Sequence, residues 1–223
     1  MSLSQTLVLK FLDILTSTIC RIDDAQLAQV PDHGPLILIT NHVNVLEIPV
    51  LYTRLRPRPI SGFFAAKRLD SAWMRWFLKT LNGIPVQRGK LDRTALKRGI
   101  SRIRAGDIFG IAPEGTRSAD GRLGQGKPGV VLLAMQSEAP IQPVVHWGSA
   151  HWQRNLRRFR RTPFHFAVGR PFQLDTGGKR VDRRMRQDIL DEIMAQMAAL
   201  LPPQFRGVYA NLGSTNPKYL RFL

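Results

Sequence analysis

A continuous apolar run places the strongest constraint on the fold of this chain. Residues 35–40 read PLILIT, and a run of Leu and Ile after Gly and Pro is typical of a strand buried on both faces. Such a strand needs helices packed above and below it, because its apolar side chains would otherwise meet water. The sequence therefore predicts a sheet inside an α/β domain.

Segments with strand and helix character alternate along the rest of the chain. The apolar periodicity predicts helices over 46–55, 71–81, 92–104, 128–137 and 183–200, and strands over 59–66, 84–88, 107–112, 140–146 and 164–169. This alternation favours a single α/β domain with a mixed, largely parallel sheet flanked by helices. In such sheets, binding and catalytic side chains gather past the carboxyl ends of the strands.

The first thirty residues are predicted to form an N-terminal amphipathic helix region, 1–30, ahead of the main domain, 31–223. Residues 6–20 are apolar over most of a helical surface, with Lys10 and Asp13 as the polar breaks. Two interpretations stay open: the helix packs on the core, or it lies in a membrane interface. No apolar run reaches about 18 residues, and signal-peptide features are missing, so we expect neither a transmembrane helix nor a signal peptide.

The charge balance limits the classes of partner. Lys and Arg number 33 against 16 Asp and Glu, which gives a net charge of +17. A surplus this large indicates an anionic partner: nucleic acid, an anionic membrane or a phosphate-bearing small molecule. One dense basic cluster, RNLRRFRR, lies within 154–161, where a solvated surface loop is the competing interpretation.

The cysteine and histidine content gives no sign of a metal site. One cysteine, Cys20, excludes an internal disulfide and a cysteine cluster. The five histidines are scattered without the spacing of metal ligands. We therefore expect no metal, and we interpret His33, His146, His151 and His165 as structural or surface residues.

A histidine and an acid follow the first predicted strand. His42 leaves that strand, and Glu47 comes five residues later, at the start of a predicted helix. A carboxylate that accepts from one imidazole nitrogen fixes the tautomer and stabilises the imidazolium formed when the other nitrogen takes a proton. The pair could thus be a general base with its orienting acid, although a histidine near an acid is more often a surface or core pair.

Three cations follow other predicted strands. The segment PEGTRS, residues 113–118, exposes backbone N–H groups, a hydroxyl and the planar fork of Arg117, which together suit a phosphate or carboxylate. Alone, this segment would be interpreted as a turn with a solvated arginine. Lys67 and Arg88 end two further strand-like segments. Three cations and a His–acid pair at strand ends indicate one site for an anionic substrate.

Four segments, in order, resemble the sequence boxes of the glycerolipid acyltransferases, the lysophosphatidic acid acyltransferase family. NHVNVLEIP resembles the family's H-x-x-x-x-D box, GIPVQR the second box, PEGTRS the third and APIQPV the fourth. FRGVY, residues 205–209, is similar to the usual ending of bacterial members. The order and spacing agree across 35–147, which makes the resemblance specific.

The resemblance implies acyl transfer from acyl-CoA or an acyl carrier protein to the hydroxyl of a lysophospholipid. The acceptor would be 1-acylglycerol-3-phosphate and the product phosphatidic acid, in phospholipid biosynthesis, with no bound cofactor. His42 would be the general base and Glu47 its partner, on a peripheral protein at the cytoplasmic face of an anionic membrane. The residues assigned to the acceptor phosphate are Lys67, Arg88, Gly115, Thr116 and Arg117, with Glu114 supporting them.

One residue departs from the family's pattern. The first box normally has Asp where this chain has Glu47. The extra methylene moves the carboxylate by about 1.5 Å, and a misplacement of about 1 Å in a catalytic pair costs on the order of 100-fold in rate. Either the backbone or the rotamer compensates, or activity is altered or absent; the intact remaining boxes favour compensation.

Two other functional classes compete with the enzyme. The charge permits a nucleic-acid-binding protein, since phosphate contacts supply most non-specific affinity. Zinc-finger spacing, RNP-like aromatics and a helix-turn-helix pattern are missing, and the Trp and Phe residues fall in segments that suit core packing. The second alternative is a non-catalytic domain that binds anionic lipid, which the Glu47 departure keeps open.

Overall fold

The structure is a computed structural model that describes residues 3–66, 71–87, 92–118, 120–211 and 216–223. Its helices are α1 (Leu3–Ile19), α2 (Glu47–Arg54), α3 (Ala72–Thr80), α4 (Arg93–Arg104), α5 (Gly129–Ser137), α6 (Trp152–Arg157) and α7 (Arg183–Leu200). Its strands are β1 (Cys20–Asp23), β2 (Leu36–Ile39), β3 (Ile60–Ala65), β4 (Gly83–Val86), β5 (Ile108–Ile111), β6 (Ile141–Trp147), β7 (Thr162–Val168), β8 (Phe172–Leu174) and β9 (Leu220–Phe222).

The strands form one mixed sheet. Its main path runs β1-β7-β6-β2-β5-β3-β4, and β8 pairs with β6 and β9. The five strands β2 to β6 are parallel to one another, whereas β7 and β8 run antiparallel to β6. The predicted fold class, an α/β domain with a largely parallel sheet flanked by helices, is confirmed. We call the edge at which β2 to β6 end the carboxyl edge.

Strand β2 is covered on both faces, as its apolar run predicts. Leu36 and Leu38 join the core cluster on the α2 side of the sheet. Ile37 and Ile39 join the opposite cluster, with side chains of α4, α5 and α7. Successive side chains of a strand point to opposite faces, so an unbroken apolar run is what a strand between two helical layers requires.

Helix α1 contacts the core and also presents an apolar surface. Leu9 and Leu12 are buried, and α1 packs along α2, with Asp13 bonded to Arg54 at 3.2 Å. The exposed large apolar side chains of this helix are Leu3, Leu7, Phe11, Ile14 and Leu15. Within the described ranges, no helix combines the length and apolar character needed to cross a membrane.

Several elements differ from the sequence-based predictions. The first half of the arginine-rich segment 154–161 belongs to helix α6, and strand β9 lies near the C-terminus, where the sequence pattern predicts no strand. Strands β1 and β8 have only four and three residues, too few to show a period. On α3, Trp73 and Trp76 are 61% and 48% exposed, so the core packing predicted for these tryptophans is wrong.

Candidate active site

Two asparagines fix the loop that follows β2 to the end of β6. The Asn41 amide donates to the His146 carbonyl at 2.8 Å and accepts from the His146 N–H at 2.9 Å. The Asn44 amide donates to the Ser149 carbonyl at 3.0 Å and accepts from the Leu46 N–H at 2.7 Å. An asparagine that bonds to backbone two residues ahead builds a tight turn. The loop therefore has one defined path from β2 into α2.

This path brings His42 and Glu47 into contact. Glu47 is the first residue of α2, and its Oε1 contacts His42 Nδ1, while its Oε2 accepts from the Asn44 N–H at 3.1 Å. The Glu47 side chain is 2% exposed and that of His42 is 17% exposed. Because Nδ1 faces the carboxylate, Nε2 is the nitrogen left for a substrate. The longer glutamate side chain thus reaches the imidazole at this helix start.

Glu114 joins this loop to the next one at the carboxyl edge. Its Oε1 accepts from the His42 N–H and its Oε2 from the Gly124 N–H, each at 2.9 Å. Burial raises the pKa of the Glu114 carboxyl, and the two N–H groups oppose that rise. The Ser118 N–H donates to the His42 carbonyl at 2.7 Å. The PEGTRS segment is therefore bonded to both main-chain groups of His42.

A lysine that the sequence patterns do not single out stands over the turn of this segment. Gly115 has φ +65°, and a Cβ built on it would lie 3.2 Å from Lys127 Nζ. The Lys127 N–H donates to the Pro113 carbonyl at 2.8 Å, which holds the two segments together. A glycine at this position lets the ammonium approach the backbone closely. The sequence shows only a lysine twelve residues after Gly115, a spacing that does not predict contact between the two.

The other predicted phosphate-binding residues are not all gathered here. Thr116 and Arg117 belong to the same segment, next to Gly115, with exposed side chains. They do not line the cavity described below, whereas Gly115 and Lys127 do. Lys67 and Arg88 lie outside the described residues, so their assignment stays a prediction.

His146 is buried behind Glu47. Its Nε2 lies 3.0 Å from the Asn41 carbonyl and 3.9 Å from Glu47 Oε2. Burial lowers the pKa of His146, which favours the neutral ring, and its Nε2–H therefore donates to Asn41. It packs as a structural histidine at the back of the site.

His42 and Glu47 line a cavity of about 430 Å³. The remainder of the lining is largely apolar and includes Leu51 of α2, Leu55 just after that helix, and Ile60 and Phe63 of β3. The lining includes Ile60 at the amino end of β3 and His42 past the carboxyl end of the neighbouring parallel strands. The cavity therefore extends along the sheet for about the length of β3, roughly 20 Å for six residues. The space can hold a long, flexible apolar group with its reactive end at the imidazole.

The C-terminal FRGVY segment supports the loop that bonds to Glu114. The Leu123 N–H donates to the Phe205 carbonyl at 2.9 Å, and the Gly126 N–H donates to the Tyr209 hydroxyl at 3.0 Å. Gly124, the partner of Glu114, lies between these two contacts. The segment thus fixes the backbone that orients Glu114.

Replacing Gly207 with alanine is expected to lower the free energy of unfolding by about 3 kcal/mol. Gly207 has φ +53°, and an added Cβ would lie only 2.0 Å from the Leu123 carbonyl oxygen. Gly177 is the matched control, because its φ is +57° and nothing lies within 4 Å of the added Cβ. Gly177→Ala should cost only about 1 kcal/mol for the left-handed backbone. Equal losses for the two variants in urea denaturation would contradict the close packing at Leu123.

Comparisons with known proteins identify similar sequences and a similar fold. A family model described as Acyltransferase matches residues 21–147. A 1-acyl-sn-glycerol-3-phosphate acyltransferase of Bacillus subtilis (strain 168) is 25% identical over 143 residues, which are 64% of this chain and 69% of that protein. A probable 1-acyl-sn-glycerol-3-phosphate acyltransferase of Mycoplasma genitalium is 27% identical over 131 residues, 56% of this chain and 49% of that protein.

A relative from a plant and a solved structure extend the comparison. The 1-acyl-sn-glycerol-3-phosphate acyltransferase of Cocos nucifera is 36% identical over 87 residues, 39% of this chain and 26% of that protein. The crystal structure of the 1-acyl-sn-glycerophosphate acyltransferase PlsC from Thermotoga maritima superposes with a TM-score of 0.62 at 21% identity, over 88% of this chain and 80% of that chain. At this identity the structural likeness shows the shared fold. The chain spans about a quarter to just over two thirds of the three sequence relatives.

Proposed function

The chain belongs to the acyltransferase family, and from this premise we propose that it moves a fatty acyl group from a thioester to the hydroxyl of a lysophospholipid. The proposed acceptor is 1-acylglycerol-3-phosphate, the product is phosphatidic acid, and the donor is acyl-CoA or an acyl carrier protein, in phospholipid biosynthesis. One observation carries the proposal: the buried carboxylate of Glu47 contacts His42 where both line a largely apolar cavity.

The proposed reaction uses His42 as a general base. Nε2 takes the proton of the acceptor hydroxyl as its oxygen attacks the thioester carbonyl, and Glu47 stabilises the imidazolium that forms. The tetrahedral intermediate collapses with the thiolate as the leaving group, and the imidazolium returns the proton to that sulfur. Every bond is thus made and broken between substrates, with one proton passing through His42.

Direct transfer needs no acyl-enzyme intermediate. The only cysteine, Cys20, is buried, and burial raises the pKa of its thiol to about 11. A thiol with such a pKa is protonated at neutral pH and is a poor nucleophile. It is also not one of the residues that line the cavity with His42.

The acceptor phosphate is proposed to bind at the segment that carries Gly115, Thr116 and Arg117. Lys127 supplies a cation directly over the Gly115 backbone, and Arg117 adds an exposed guanidinium two residues further on. Glu114 supports the segment through its bonds to His42 and Gly124. Lys67 and Arg88 remain expected contributors.

Lys127→Met is expected to raise KM for lysophosphatidate by about tenfold or more, the contribution of one hydrogen bond to a charged group, while changing kcat little. The reason is that the ammonium binds the phosphate equally in the ground state and the transition state. Lys179→Met is the matched control, since Lys179 is an exposed lysine in the loop before α7. An unchanged KM for Lys127→Met would remove this lysine from the acceptor site.

The cavity is proposed to hold the acyl chain of the donor. Gly110 lines it, and a Cβ added there meets only the Ser61 carbonyl oxygen, at 3.8 Å. Gly110→Leu is therefore expected to fill part of the cavity and shift the preferred donor to shorter acyl chains, and Gly110→Ala should shift it little. Competition between acyl-CoAs of different length measures the preference. The same preference in Gly110→Leu as in the unmodified protein would place the acyl chain elsewhere.

The protein is also proposed to work as a peripheral protein on an anionic membrane, at its cytoplasmic face. The net charge of +17 supports this, because each basic side chain near an anionic leaflet contributes about 1 kcal/mol. The exposed apolar side chains of α1 and the exposed Trp73 and Trp76 of α3 supply surfaces that suit a lipid interface.

A panel of acceptors and donors tests the proposed function. Lysophosphatidate, lysophosphatidylcholine and lysophosphatidylglycerol are each incubated with labelled acyl-CoA and with labelled acyl carrier protein. We expect labelled phosphatidic acid from lysophosphatidate with at least one donor. Binding of lysophosphatidate without transfer from either donor would instead support the non-catalytic lipid-binding class.

A further inference from the structure

The turn that joins α6 to β7 carries a fully exposed phenylalanine among arginines. Phe159 is 99% exposed and Leu156 is 47% exposed. We call residues 154–160 the arginine turn; its exposed guanidinium groups belong to Arg154, Arg157, Arg158 and Arg160. Arg161 is not part of it, because its side chain donates to the Ser17 and Cys20 carbonyls at 2.7 and 2.6 Å.

The arginine turn has a defined backbone that holds Phe159 outward. The N–H groups of Arg158 and Arg160 both donate to the Asn155 carbonyl, at 3.0 and 2.9 Å. Phe159 between them has φ +53°, the left-handed region that bulky residues rarely adopt. Asparagine or glycine would suit this backbone better, and a polar side chain would suit water better. A phenylalanine here is unfavourable on both counts, and a partner that covers its ring would remove the second cost.

The arginine turn lies at the same edge of the sheet as the active site. Trp147, which ends β6, pairs with His165, so Thr162 at the start of antiparallel β7 lies past the carboxyl end of β6. Ser149, two residues after β6, accepts a hydrogen bond from Asn44 in the loop that carries His42. A flat partner that contacts the arginine turn would therefore also approach the carboxyl edge.

We propose that the arginine turn is a membrane-docking element, in which Phe159 enters the interface of an anionic bilayer and the surrounding arginines bind lipid phosphates. The proposal deepens the proposed function and rests on it, since it supplies the side on which a lipid substrate reaches His42. An anionic bilayer matches both kinds of side chain in the turn. Its phosphates can bind the guanidinium groups, and the hydrocarbon beneath the phosphates can bury the ring that projects between them. Duplex DNA offers the phosphates but no apolar layer.

Co-sedimentation with vesicles tests the docking. The vesicles contain equal parts phosphatidylcholine and phosphatidylglycerol, with pure phosphatidylcholine as the neutral comparison. Phe159→Ser is expected to weaken binding by about tenfold, because burial of one aromatic side chain is lost. The quadruple variant R154Q/R157Q/R158Q/R160Q is expected to weaken it by about a thousandfold at low salt, since each of the four arginines contributes about 1 kcal/mol. Raised salt should remove most of the arginine effect and little of the phenylalanine effect.

A second cluster gives a control of equal charge. K179Q/R180Q/R183Q/R184Q also removes four exposed cations, from the loop after β8 and the first turn of α7. Strand β8 runs antiparallel to β6 from the pair Ile141–Phe172, so this loop leaves the opposite edge of the sheet. The control should lose less than tenfold in vesicle affinity. An equal loss in both quadruple variants, or wild-type binding by Phe159→Ser, would overturn the proposal.

Two further measurements separate this proposal from its rivals and from the proposed function. If the arginine-turn variants kept vesicle affinity and instead lost binding to acyl carrier protein or duplex DNA, membrane docking would be wrong. Acyl transfer between short-chain, monomeric substrates should be unchanged in the variants, because no membrane is involved. Absence of that transfer in the unmodified protein would count against the proposed function, while the vesicle results would still decide the docking.

Discussion

Replacement of His42 with alanine is expected to lower kcat/KM for acyl transfer to lysophosphatidate by about a thousandfold, within the range that a general base contributes. Without the imidazole, the acceptor hydroxyl loses its proposed proton acceptor, and an alcohol is a weak nucleophile at neutral pH. The measurement is the initial rate of labelled phosphatidic acid formation at subsaturating acceptor.

The alanine variant should keep its fold, which makes the rate informative. His42 holds Glu114 and Ser118 through its backbone N–H and carbonyl, and alanine retains both groups. His33→Ala serves as the matched control, because the His33 side chain is 91% exposed. A His42→Ala variant with the rate of the His33→Ala control would remove His42 from the mechanism.

Glu47→Gln is expected to lower kcat/KM by about a thousandfold, a loss of the same kind as the roughly 10⁴-fold loss when a triad carboxylate becomes an amide. Glu47 accepts from His42 and from the Asn44 N–H, one with each carboxylate oxygen. An amide has a single acceptor oxygen, so its NH₂ group would face a donor at one of these positions. The imidazole would then change tautomer or rotate, and the imidazolium would lose its counter-charge.

Glu47→Asp tests whether the length of the side chain matters when its charge is kept. Aspartate keeps the carboxylate and is the residue that the resembled box normally carries, but it withdraws the oxygens by about 1.5 Å. We expect a loss of about tenfold to 100-fold, smaller than that of Glu47→Gln. If Glu47→Gln were as active as the unmodified protein, the carboxylate would have no part in the reaction.

The fold could be predicted where an apolar run or an apolar stripe marks an element. The apolar run of β2 predicts a strand covered on both faces, and the apolar stripe of α7 predicts a helix with one buried face. In both elements the apolar side chains are the buried ones. Strands β1, β8 and β9 are short and lack an apolar run like that of β2, and their pairing depends on neighbours far along the chain. The arginines of α6 do not form an apolar stripe, so periodicity could not separate that helix from a loop.

The grouping of the candidate site residues could be predicted, but the residues that support them could not. His42, Glu47, Glu114 and Gly115 stand in recognisable order after two strands, and the sheet brings them together. Asn41 and Asn44 act through bonds to residues 105 positions away, which no local pattern records. Lys127 reaches Gly115 only because its backbone pairs with Pro113. Such contacts follow from the tertiary path of the loops.

A double-mutant cycle on His42 and Glu47 tests most directly whether the two side chains act as one unit. The rates of His42→Ala, Glu47→Gln and the double variant are compared with that of the unmodified protein in phosphatidic acid formation. Groups that act together are strongly non-additive, so we expect the double variant to be about as slow as His42→Ala alone. Losses that multiply in the double variant would show that the pair does not work as a base and its orienting acid.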